Sequence, residues 1–166
     1  RPAICDIVKR MMSVDDDMVT LIKNPIDFDR FNPSLKRQVP EKHAVLFVGS
    51  FDYLRRNPIM HLYNMSKEQN FDVILAGRND FPDEINEEKM PGVKIYPPRW
   101  DVEEYLKEAD GVAGIFMGRT TLEGWCAGLT SLQYIVNKAG NITDLFVEQP
   151  PEDVGEFDSR IVAERV

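Results

Sequence analysis

The sequence predicts an α/β domain built on a parallel sheet with helices on both faces. Short apolar runs of strand length recur at 43–48, 72–76, 93–96, 111–116 and 132–136. Between them lie longer stretches whose apolar residues fall at helical spacing, at 58–69, 101–109 and 120–127. Most of the strand runs close on a turn residue: Gly49, Gly77, Pro97 and Gly118. Continuous apolar strands alternating with helices mark a parallel sheet covered on both sides. A length of 166 residues suits one domain with a sizeable core, and not comfortably two.

The elements follow in order. Ile4, Ile7, Val8 and Met11 have helical spacing, and Pro2 stands near a first turn, so 2–12 is expected to be a helix. Asp15-Asp16-Asp17 is a solvated turn that lacks the further spaced ligands of a calcium loop. A short strand at 19–23 leads into Asn24-Pro25-Ile26-Asp27-Phe28-Asp29-Arg30-Phe31-Asn32-Pro33, a proline-containing connector that a polar stretch extends to 42. The strand 43–48 ends in Gly49-Ser50, and Arg55 and Arg56 are expected in the loop before a helix starting at Pro58. Strand 72–76 closes on Gly77-Arg78, and 81–90 is polar with at most a short helix. Strand 93–96 closes on Pro97-Pro98-Arg99-Trp100, after which Asp101 caps a helix to 109. The run 111–116 leads through Gly118 to a helix over 120–127, which Gly128 stops. Strand 132–136 follows; 138–148 reads as irregular and 156–166 as helical.

Composition narrows the function. A net charge of −8 argues against nonspecific binding to nucleic acid or to acidic membranes, both of which need a basic face. Cys5 and Cys126 lie far apart, so reduced thiols and a cytoplasmic setting are expected. No apolar run is long enough to span a bilayer, and no signal peptide is visible. Neither His43 nor His61 has a partner at metal-ligand spacing, and no Cys or His cluster has zinc spacing, so no metal site is expected. The glycine patterns of triphosphate hydrolysis and of dinucleotide redox chemistry are also missing. The chain begins at Arg1-Pro2 and ends within a helical pattern, as expected of a piece of something longer.

In a parallel sheet the ligand lies beyond the carboxyl ends of the strands. The informative positions are then Gly49-Ser50, Gly77-Arg78, Pro98-Arg99 and Gly118-Arg119, with Arg55 and Arg56 a little further along. Basic residues converging on one edge of an acidic protein suggest an anionic small molecule. A strand, a glycine turn and a helix start form a phosphate cradle, because the first N–H groups of a helix have no partner within it. Arg119, Thr120 and Thr121 add donors there, and Glu123 lies one turn in. The same residues admit a structural reading, since Thr120-x-x-Glu123 is also a capping box.

Four stretches carry a resemblance. The connector 24–33 looks like the Asn-Gly-Val-Asp…Arg-Phe-x-Pro segment of family 4-type glycosyltransferases. Phe47-Val48-Gly49 looks like the Phe-Val-Gly-Arg that opens their second half. Ala109-Asp110 with the following strand, and Leu122-Glu123-Gly124-Trp125-Cys126-Ala127-Gly128, match two further motifs in the same order and spacing. The resemblance implies a Rossmann-like three-layer domain, the C-terminal half of a GT-B fold. Residues 1–42 would then be helix, strand and interdomain connector, and 43–166 the nucleotide-sugar-binding domain. It implies a sugar transferred from a nucleotide-diphosphate donor, with retention and no other cofactor. The acceptor, a glycan or lipid, is not indicated, and an N-terminal half would supply most of its site. Membrane association in this family usually comes through that half.

On this resemblance Arg56 and Glu123 are the catalytic candidates, and Glu123 holds the ribose hydroxyls. Gly49, Ser50, Arg55, Gly118, Arg119, Thr120 and Thr121 would bind the donor and its phosphates. Pro98, Arg99 and Trp100 would approach the base. The sequence departs from the pattern at two points. The first motif glutamate falls at Ile115, and Ser50 stands where an arginine is expected. These departures support an alternative, a catalytically degenerate sugar-nucleotide-binding module. A flavodoxin-like interaction domain with incidental arginines is the other alternative.

Overall fold

A computed structural model describes residues 25–35, 41–116 and 118–160, with Glu156 described by its backbone only. The helix expected over 2–12, the strand over 19–23, Cys5, the acidic turn 15–17 and most of the helix expected over 156–166 lie outside them. Within them, Gly155–Phe157 forms a 3-10 turn.

The chain forms strand β1 (Ala44–Val48), helix α1 (Tyr53–Gln69), strands β2 (Asp72–Ala76) and β3 (Val93–Tyr96), helix α2 (Val102–Leu106), strand β4 (Gly111–Ile115), helix α3 (Arg119–Cys126), and strands β5 (Thr130–Val136) and β6 (Ile142–Glu148). The strands make one sheet in the order β3-β2-β1-β4-β5-β6. The first five run parallel, and β6 pairs antiparallel with β5. Winding reverses between β1 and β4, which creates a switch point at their carboxyl ends.

Alternation along the buried strands divides the core in two. Phe47, Val73 and Leu75 face Ile59 and Leu62 of α1. Leu46, Ile74 and Val112 face the other way, with Tyr105 and Leu106 of α2 and Leu122 and Trp125 of α3. This is the three-layer α/β arrangement the strand and helix pattern predicts. The connector joins the same body: Ile26 N donates to the Phe157 carbonyl at 2.7 Å, and Ser159 N donates to the Ile26 carbonyl at 2.9 Å.

The helix expected over 101–109 is shorter, Val102–Leu106, and takes no side-chain cap from Asp101. Three further expectations are corrected. Helix α1 starts at Tyr53, not Pro58, so Arg55 and Arg56 are helical rather than in a loop. Asp52, with extended backbone, accepts from Leu54 N at 3.1 Å and Arg55 N at 3.2 Å. That cap satisfies N–H groups the helix cannot, and it starts the helix ahead of the proline. Second, β6 occupies a stretch read as irregular; its residues are half-buried or exposed, so its apolar signal is weak, and pairing with β5 defines it. Third, β5 begins at Thr130, two polar-flanked positions before its apolar run.

Candidate functional site

The loops that follow β1, β2 and β3 meet at the carboxyl edge of the sheet. Gly49 N donates to the Ala76 carbonyl and Gly77 N to the Tyr96 carbonyl, each at 3.0 Å, so the ladders run into the glycines. Gly77 has φ +156°, and a Cβ there would lie 1.8 Å from the Gly49 carbonyl oxygen. Only glycine lets these two strand ends pass so closely. Their approach opens a cleft of about 200 Å³ between Gly49, Ser50, Gly77, Arg78, Pro98 and Arg99, floored by Val48 and Ala76 and flanked by Val102 and Tyr105 of α2. Drug-sized ligands need about 300–1,000 Å³, so the cleft suits part of a ligand, such as one heterocyclic base.

Helix α3 opens at the switch point. Gly118 is its N-cap, with no side-chain capping bond, so the Thr120 and Glu123 capping box does not form. The Glu123 carboxylate instead accepts from Arg119 Nε at 2.9 Å. Glu123 is only 5% exposed. Burial pushes its carboxyl above the usual glutamate range, while Arg119, and then Arg30, pull it back. Thr120 is half-buried at the helix start. Thr121 is buried, and its hydroxyl accepts from Gln133 Nε2 at 3.0 Å. Its side chain is therefore tied to β5, as is Trp125, whose Nε1 donates to Ser131 Oγ at 3.1 Å. Gly124 lets the helix lie close to β4: a Cβ would come 2.6 Å from Val112 Cγ2. Ile115 ends β4, half-buried.

The arginines converge on this edge but arrive already paired. Arg55 pairs with Asp52, Arg56 with Glu84, Arg78 with Asp80, Arg99 with Asp101 and Arg119 with Glu123. The expected excess of positive charge is thus compensated locally. The Arg99 guanidinium holds the Asp101 carboxyl below the usual range. Arg56 turns toward Glu84 and lies over the Phe81 ring, 5.7 Å from its centroid. The N–H groups these pairings leave over, on Arg119 above all, which uses only Nε, can still donate to an anion at this edge.

The loop 97–101 carries the residues expected near the base. Trp100 is 97% exposed. Tyr105 Oη donates to the Pro97 carbonyl at 2.8 Å and stacks on Tyr96 with centroids 5.1 Å apart. From the connector, Arg30 Nη2 donates to the Trp100 carbonyl at 2.9 Å, and its Nε and Nη2 reach both carboxylate oxygens of Glu103 at 3.1 and 2.5 Å. The sequence reading placed Arg30 only within a connector and did not single out Glu103, Tyr105 or Asp52. The short spacing of Asp52 to Arg55 was a usable signal; the pairing of Arg30 with Glu103, 73 residues apart, was not.

A larger cavity, about 730 Å³, lies at the opposite edge among Ala44, Gly111 and Thr130, where β1, β4 and β5 begin. Its position at the amino ends of the strands sets it apart from the ligand edge of such sheets. Among the described residues, no group of three or more His, Cys, Asp or Glu side chains is placed to hold a metal ion. No helix among them is long and apolar enough to cross a membrane.

No family model matches the chain, and no curated protein matches it in sequence. Solved structures do match in fold. AviGT4, a glycosyltransferase involved in avilamycin A biosynthesis, aligns with a TM-score of 0.64 at 14% identity, over 95% of this chain and 58% of its own. A glycosyltransferase from Rickettsia africae aligns with a TM-score of 0.56 at 15% identity, over 83% of this chain and 44% of its own. Anabaena HepE, solved in complex with UDP-glucose, aligns with a TM-score of 0.54 at 15% identity, over 79% of this chain and 42% of its own. The chain thus spans about half the length of these proteins or less. Its fold is the Rossmann-like α/β layout of GT-B glycosyltransferases.

Proposed function

We propose that this chain is the donor-binding half of a nucleotide-sugar-dependent, retaining glycosyltransferase, and that the cleft and the start of α3 together form its donor site. The observation that carries the reading is the buried Glu123. Among the described residues it makes no capping bond and accepts from one arginine, and it sits one turn into a helix at the switch point. A carboxylate buried there without a structural duty at the helix start suits a diol, because it accepts two hydrogen bonds and the hydroxyls donate them. The backbone at Gly118 to Thr120 opens toward the edge, where helix dipole and N–H groups favour phosphate. Pro98, Arg99 and Trp100 would face the base, and Gly77 lets the ends of β1 and β2 pass closely enough to shape the cleft beside them.

In this reading the leaving diphosphate gains negative charge as the glycosidic bond breaks. Helix N–H groups, Arg119 and one of Arg55 and Arg56 would stabilise that charge more in the transition state than in the ground state. Arg56 would have to turn from Glu84 to take part. The acceptor site would come from another half, so the isolated chain binds a nucleotide diphosphate and transfers little or no sugar.

Calorimetric titration with uridine and guanosine diphosphates tests the proposal. One of them should bind, and Glu123→Ala and Arg56→Ala should each weaken it by about 1–3 kcal/mol, the cost of a hydrogen bond to a charged group. A wild-type chain that binds neither at millimolar concentration sinks the proposal. A second reading, a degenerate sugar-nucleotide-binding module, is favoured by Ile115 and by the carboxylate partners of the arginines. A full-length protein that binds donor but never turns over would select it.

A further inference from the structure

We infer that Arg30, on the connector, is the positioning residue that holds the base-side loop 97–101 in register with the cleft. The inference rests on the donor-site reading and names the device that gives that site its base selectivity.

Within the loop Arg99 pairs with Asp101 and lies over the Tyr105 ring, but these contacts hold side chains and not the loop's carbonyls. Pro97 and Pro98 carry no N–H, so neither can extend the β3 ladder. Helix α2 takes no side-chain cap from Asp101, whose carboxylate is taken by Arg99. Two side chains fix the loop's carbonyls from outside it. Tyr105 Oη holds the Pro97 end, and Arg30 Nη2 holds the Trp100 end at 2.9 Å. The same guanidinium grips both oxygens of Glu103 at the start of α2, where the carboxylate side chain is 19% exposed. One planar fork therefore ties the end of the loop to the helix that follows it, a geometry a lysine cannot reproduce.

Arg30 does this from a distance. It does not line the cleft, whose loop-side wall is made by Pro98 and Arg99. Its charge is also felt at Glu123, where it opposes the repulsion from Glu103. Its direct contacts are to Glu103 and the Trp100 carbonyl. Loss of the fork leaves Glu103 without this donor and frees the Trp100 carbonyl, so the loop keeps only its Tyr105 end and Pro98 and Arg99 shift more freely against the cleft. Phosphate contacts at Gly118 to Thr120 do not pass through this loop.

The test uses the whole chain and three probes: uridine diphosphate, guanosine diphosphate and inorganic pyrophosphate. Arg30→Ala should weaken the preferred nucleoside diphosphate on the order of tenfold and narrow the preference between the two bases, the loss of one charged hydrogen-bonded contact. Pyrophosphate binding should change less than about twofold, because it reports the phosphate contacts alone. Arg30→Lys, which keeps the charge, should not restore the base preference, and Glu103→Gln should reproduce part of the loss without altering the connector. Equal weakening of all three probes would make Arg30 a general folding residue and overturn the inference. So would an unchanged base preference in both Arg30→Ala and Glu103→Gln. A wild-type chain that binds none of the probes overturns the donor-site reading itself, a distinct outcome.

Discussion

Glu123 is where the chemistry of a single side chain bears most directly on function. Its carboxyl lies above the usual glutamate value of about 4.3 because it is buried, an effect that Arg119 and Arg30 only partly offset. The sign follows. The folded chain takes up a proton at Glu123 more readily than the unfolded chain, so ionised Glu123 costs stability at neutral pH. That cost is relieved as pH falls through the raised value. Binding runs the other way, since only the carboxylate accepts from both hydroxyls. Nucleotide affinity should hold at neutral pH and fall as pH drops through a window lying above that of an ordinary glutamate. Titrations from about pH 7 to about pH 4, on wild type and Glu123→Gln, check this. The nucleotide's own ionisation is common to both, so the difference between the curves isolates Glu123. Gly77 makes a second residue-scale case. A Cβ 1.8 Å from the Gly49 carbonyl oxygen, at φ +156°, should cost about 3 kcal/mol or more in Gly77→Ala. Gly92→Ala, at φ +88° with open space around the Cβ, should cost about 1 kcal/mol. Chemical denaturation compares the two.

The start of α1 shows how a single element can be misplaced and then explained. Pro58 is a sound helix-start signal. The helix nevertheless begins at Tyr53, because Asp52 accepts from two N–H groups of the first turn. This moves Arg55 and Arg56 from the expected loop onto a helix, where Arg56 pairs with Glu84. Asp52→Ala should lower stability by about 1 kcal/mol, and Asp52→Asn by less, as read from denaturant midpoints at constant slope. At α3 the outcome is the reverse. The capping-box reading of Thr120 and Glu123 fails, since Gly118 takes the cap position and Arg119 takes the carboxylate. Thr121 and Trp125 then bond the polar residues Gln133 and Ser131 on β5, which are fully buried. The helix is thereby locked to the sheet by polar contacts as well as by apolar packing.

Across the molecule, the sheet brings three glycine- or proline-bearing strand ends into one cleft and sets a helix start beside it at the point where winding reverses. Much of that was legible in the chain. The apolar runs at β1 to β4 are local statements that a segment has to be buried on both faces, and their bounds agree with the structure to within a residue. Carboxylates at short spacing from Arg55, Arg78 and Arg99 were equally legible, and the convergence of basic residues was read without them. Counting each arginine with its near neighbours shows an edge balanced in charge.

By itself, then, the sequence determined the α/β class, the strand and helix alternation, the turns that line the ligand edge and the position of Glu123 one turn into a helix. These follow from periodicity and backbone permissiveness, which are properties of short segments. The tertiary structure alone decided that 142–148 is a strand, that Glu123 is not a cap, that Arg56 faces Glu84, and that Arg30 reaches Glu103 and the Trp100 carbonyl. Each of those depends on which distant segments share a ladder or exclude water from an ion pair, and that is set only when the sheet has closed around its core.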